Sequence, residues 1–65
     1  MRVEAHYPSG RFVTADAFDL VEAVDLAESQ IELGAVLANV LDDRRVLVAT
    51  VDVDCSEVTY YNDEV

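Results

Sequence analysis

Asp52 and Asp54 stand at alternate positions in the run RRVLVATVDVDCSEV, residues 44–58, and are the carboxylate pair best spaced to do chemistry. On a strand, residues two apart share a face at about 6.6 Å. Such a pair suits general acid–base catalysis, cation binding or recognition of a positive partner. Acid–base work needs a pocket that pushes the two pKa values apart, and a chain of 65 residues rarely encloses one. For calcium, DVDCSEVTYYND puts Asp52, Asp54 and Ser56 at the first, third and fifth loop positions. It then fails at Glu57, where the sharp turn takes glycine, and at Asp63, where a bidentate glutamate is usual. His6 and Cys55 are the only candidate imidazole–thiol couple, with no third orienting group and no glycine-rich oxyanion element. One cysteine and one histidine cannot complete a four-ligand zinc site, and two isolated glycines make no phosphate loop. The sequence therefore predicts a non-enzyme without metal or cofactor, and leaves recognition as the role of the two aspartates.

The elements that must position them read as follows. YPSGR offers Pro8 to preset a turn and Gly10 for its left-handed position. It predicts a hairpin over residues 2–7 and 11–15 in which Tyr7 faces Arg11, Ala5 faces Val13, and Val3, Ala5, Val13 and Ala15 share a face. FDLVEAVDLAESQIEL reads as a helix capped by Asp19, with Glu22 completing a capping box and Phe18 packing back on the first turns. Its expected apolar stripe is Leu20, Val24, Ala27 and Ile31. Glu22, Asp25 and Glu32 point away from that stripe with Asp19 and Glu28 flanking them, Leu26 lies on the solvent side, and Gly34 ends the helix. AVLANVL, residues 35–41, fits a strand or a short helix. The strand is preferred because DDRR can then turn into the β-branched run VLVATVDV. In that run Leu47, Ala49, Val51 and Val53 form one face, and Val46, Val48, Thr50, Asp52 and Asp54 the other. EVTYY, residues 57–61, supplies a last strand, with one tyrosine facing the core and one solvated, and NDEV a frayed acidic terminus. The prediction is one α+β domain over residues 1–65, ββαβββ, a two-layer antiparallel sheet with one helix packed on one face.

Charge is the outlier. Fourteen acidic residues face four arginines and no lysine, for a net charge of −10. Direct binding to nucleic acid or to an anionic membrane needs a basic patch, so neither is expected. The apolar fraction of 52% argues against a disordered acidic tail. No signal segment and no membrane span is visible, and a lone cysteine suits a reducing compartment, so the cytoplasm is expected. An ordinary surface intersperses both signs, yet residues 12–43 and 46–65 contain no basic residue. Carboxylates at helical spacing sit about 5–6 Å apart. Together with the strand pair they form negative rows at roughly phosphate-like intervals. The expected contact carboxylates are Glu22, Asp25, Glu32, Asp52 and Asp54, with Asp42 and Asp43 as weaker members.

In whole-chain charge, and in DLVEAVDLAESQIE and VDVDCSE, the sequence resembles small phage-encoded inhibitors of the type I anti-CRISPR and DNA-mimic kind. The resemblance implies a protein that occupies a basic DNA or protospacer-adjacent-motif channel on a host protein such as a Cas subunit, blocking its contact with DNA in the host cytoplasm. It carries over no individual residue. Two other readings stand beside it. Eight Asp, twelve Val, eight Ala and no lysine also suit a protein adapted to molar salt. A homodimerising interaction module would use Leu26, Tyr60 and Tyr61 as anchors. A monomer or a weak dimer is expected.

Overall fold

The computed structural model describes residues 1–61, with residues 55–57 described in backbone only, and the expected frayed terminus at 62–65 lies outside that range. In chain order the elements are β1 (Arg2–His6), β2 (Phe12–Asp16), α1 (Leu20–Glu32), β3 (Leu37–Leu41), β4 (Leu47–Asp52) and β5 (Cys55–Tyr60). This is the ββαβββ chain of an α+β fold. One antiparallel sheet has the order β2-β1-β3-β4-β5, and α1 packs over β1, β3 and β4.

The first hairpin forms as its turn residues dictate. Ala5 pairs with Val13, the Tyr7 N–H donates to the Arg11 carbonyl at 2.9 Å, and Gly10 takes φ +90°. The strands stop at His6 and begin again at Phe12, because Tyr7 and Arg11 close the loop instead of extending the ladder. Residues 43–45 repeat the same three-residue geometry between β3 and β4. Arg45 donates its N–H to the Asp42 carbonyl at 2.9 Å, and Asp42 donates its own to the Val46 carbonyl at 3.0 Å. Arg45 holds the left-handed place at φ 68° that glycine usually fills.

Asp19 caps the helix and accepts the Glu22 N–H at 2.9 Å. At the other end Gly34 takes φ +118°, and the Ala35 and Gly34 amides donate to the Gln30 and Ile31 carbonyls, the paired bonds of a Schellman cap. Ala35 thus belongs to the cap, Val36 already donates to the His6 carbonyl of the neighbouring strand, and β3 itself runs from Leu37.

The core differs from the expected one in which helical face it uses. Ala23 and Ala27 are fully buried at the centre of the helix–sheet contact, facing a sheet whose own buried residues are Val3, Ala5, Ala38, Val40, Ala49 and Val51. Val24 and Ile31 flank that line, and Leu20 is 36% exposed. Leu26, expected in solvent, packs against the core from the other flank. Small side chains at the centre let helix and sheet approach closely, and larger ones fill the wedge to either side. Phe18 does not fold back on the helix: it is 91% exposed. Its partner for such packing, four residues into the helix, is Ala23, which is short and turned into the core.

The ends of the last hairpin also differ. β5 begins at Cys55, two residues earlier than expected, and Val53 and Asp54 form the turn. Val53 is therefore 49% exposed instead of facing the core. Tyr60 and Tyr61 are both about half exposed, at 57% and 46%. Tyr60 pairs with the buried Ala49 and so lies on the helix side of the sheet, but α1 covers β1, β3 and β4 and leaves β5 at the rim. No helix among the described residues is long and apolar enough to cross a membrane.

Enlarging the centre of this contact should be costly. Ala27→Leu is expected to lose about 1–3 kcal/mol, lowering the melting temperature by roughly 4–8 °C per kcal/mol. A thermal melt that is unchanged would show that the helix does not sit on the sheet through this alanine.

Candidate partner-binding surface

The seven carboxylates expected at the contact divide into two groups when their backbone neighbours are considered. Asp52 is the last residue of β4, and its Oδ1 accepts the Asp54 N–H at 2.8 Å. Asp54 lies in the turn beyond the strand, so the two carboxylates do not share a strand face and the interval of alternate strand residues does not apply to them. Asp42 Oδ1 accepts two amides, from Arg44 at 2.8 Å and from Val46 at 2.9 Å, and so holds the turn that Arg45 strains. Glu22 Oε1 accepts the Phe18 N–H at 2.6 Å, one residue before the position a capping box would serve. Asp42, Asp52, Glu22 and the N-cap Asp19 thus satisfy amides that no ladder or helix bond reaches. Asp43 lies exposed, 3.4 Å from the Met1 amine.

Asp25 and Glu32 remain, and the structure adds Glu28. All three are exposed and form no hydrogen bond or ion pair with any described residue. With Val21 they follow spacings of four, three and four, which is one stripe along the helix face away from the sheet. No arginine lies on this helix. Arg2 reaches Asp16 at 3.9 Å, Arg11 sits 5.6 Å from the centre of the Tyr7 ring, and Arg44 and Arg45 belong to the β3–β4 turn. The helix gains nothing from this arrangement. Like charges three and four apart repel, and its last turn has no basic residue to complement the negative end of its dipole.

The other surfaces are different in kind. The uncovered sheet face carries cross-strand rows such as Thr14–Glu4–Asn39–Thr50–Thr59, in which the Thr50 hydroxyl donates to Asn39 Oδ1 at 3.2 Å. A cleft of about 230 Å³ at one end of the sheet mixes Arg2 and Arg45 with Glu4, Asp16 and Asp42. His6 is on β1 and Cys55 on β5, with β3 and β4 between them, so about 14 Å separates their backbones. Among the described residues no three His, Cys, Asp or Glu side chains are grouped to hold a metal ion.

The helix stripe could have been read further in the sequence. Glu28 belongs to it by spacing alone, and the exposed Phe18 and Val21 at its head carried no charge signal. The turn around Asp42 should respond with opposite signs at its two key positions. Arg45→Gly is expected to stabilise by about 0.5–1 kcal/mol by relieving the left-handed backbone. Asp42→Ala is expected to cost about 1 kcal/mol, and Asp42→Asn less because an acceptor oxygen remains. Urea melts of the three variants check this, and equal losses for Asn and Ala would remove the capping role.

Compared with protein-family models, curated proteins and solved structures, the chain matches none.

Proposed function

We propose that this chain is a non-enzymatic inhibitor that lays its outer helix face on a basic, nucleic-acid-binding protein surface and keeps nucleic acid from it, acting in the cytoplasm. The observation that carries this reading is the row Asp25, Glu28 and Glu32: exposed, unpaired with any described residue, and placed where it weakens the helix bearing it. Charge kept at a cost to stability suits recognition, because a complementary field steers encounter and fixes register. Asp43 and Asp54, exposed at turns on opposite ends of the sheet, add to the overall negative field. The four capping carboxylates contribute field while they hold backbone. A Cas effector with an open DNA channel is the partner class that the resemblance to anti-CRISPR inhibitors favours.

The test is capture from a lysate of a bacterium bearing a type I CRISPR system, with elution by duplex DNA. The expected result is retention of a nucleic-acid-binding protein that DNA displaces, with affinity falling about tenfold between low and high salt. Glu28→Gln with Glu32→Gln should weaken that binding while raising the melting temperature of the chain. Retention indifferent to both DNA and salt rejects the reading.

A second reading, adaptation to molar salt, draws on the core. Among the described residues the buried apolar side chains are six alanines and three valines, a thin core to set against a net charge of −10. Under this reading the chain is poorly folded in dilute buffer and gains most of its stability in molar salt. A cooperative melt above ambient temperature in dilute buffer would rule it out.

A further inference from the structure

Phe18 and Val21 are, with Leu33, the most exposed large apolar side chains described, at 91% and 74%. Both sit at the head of α1, where Phe18 precedes the N-cap and Val21 opens the stripe that continues through Asp25, Glu28 and Glu32. We infer that Phe18, supported by Val21, is the apolar anchor of this surface. The occupant it fits is a protein with a small apolar socket bordered by basic residues. The inference rests on the binding reading above and names the part of that surface which charge does not explain.

Three observations lead to it. The backbone that carries the ring is fixed: the Phe18 main-chain N–H donates to Glu22 Oε1 at 2.6 Å, and the Glu22 N–H donates to Asp19 Oδ1 at 2.9 Å. A main chain already ordered at the anchor leaves less entropy to lose on docking. Next, carboxylates surround the anchor in the chain, with Asp16 and Asp19 beside it and Glu22 bonded to it. An exposed aromatic residue with charged groups close by in the chain suits an interface anchor with a polar rim. Finally, the charges choose among occupants. In a two-fold pairing of helix faces the row Asp25, Glu28 and Glu32 would oppose its own copy. An anionic lipid surface would be repelled in the same way. A basic protein surface is attracted by it.

The experiment places p-benzoylphenylalanine at position 18 in one sample and at Thr59, exposed on the opposite sheet face, in another, then irradiates both in the lysate described above. The protein crosslinked at 18 is purified. Its dissociation constant is measured against the unmodified chain, Phe18→Ser, and Glu28→Gln with Glu32→Gln, at low and high salt. Phe18→Ser should weaken binding tenfold to a hundredfold at both salt concentrations, since burial of an apolar ring is little screened, whereas the glutamate pair should matter mainly at low salt. Phe18→Ser should melt no lower than the parent, because the ring touches no core. The inference is overturned by no crosslink at 18 above that at 59, by a crosslink to a second copy of the chain, or by unchanged affinity of Phe18→Ser. The last result, with a partner that duplex DNA still displaces, leaves the charge reading standing without the anchor. A partner that depends on Phe18 but ignores DNA supports the anchor and rejects the DNA-mimic reading.

Discussion

The contact of Ala23 and Ala27 with the alanines and valines of β1, β3 and β4 governs the rest of this molecule. Small side chains bring the helix close to the sheet, and closeness gives good packing per atom. They also bury little apolar area per residue, so this core draws on about 25 cal/mol per Å² from a small total. No Leu, Ile, Phe or Tyr is fully buried among the described residues. A domain built this way has little stability in reserve, and each unpaired amide in its turns counts for more.

That constraint explains why so many carboxylates face inward along the chain, toward backbone. Asp19, Glu22, Asp42 and Asp52 accept amides at the helix start and at two of the three hairpin turns. The remaining hairpin, at Pro8 and Gly10, has turn residues that need no such help. Acidity in this protein therefore has two physical origins. One set of carboxylates holds loops closed. The other, on the outer helix face, forms no hydrogen bond or ion pair with any described residue.

Much of the fold was legible because its signals are local. Pro8 and Gly10 fixed the first turn and its register, Asp19 the helix start, and Gly34 its end. The second turn was legible at DDRR, but its three-residue form was not, because Arg45 occupies a position where glycine would have announced it. The helix face was misread by giving weight to large apolar residues, when the sheet instead accepts the smallest ones and leaves Leu26 to the flank. Of the candidate surface, Asp25 and Glu32 were legible from spacing. The separation of Asp52 from Asp54 was not, because alternation in a sequence does not say where a strand stops. The exposure of Phe18 was equally hidden, since it depends on Ala23 being spent on the core.

The strand order has a bearing on how the chain reaches this state. β1–β2 and β3–β4–β5 are each made of neighbours in sequence, and only the β1–β3 ladder joins distant segments, with Arg2 opposite Leu41. The entropy of closing that long loop falls on a single step. The helix lies between the two halves in sequence, and a formed helix shortens the span that must be closed. Folding should thus be limited by docking of the N-terminal hairpin onto the meander, with the alanine face of the helix as the template on which both halves meet.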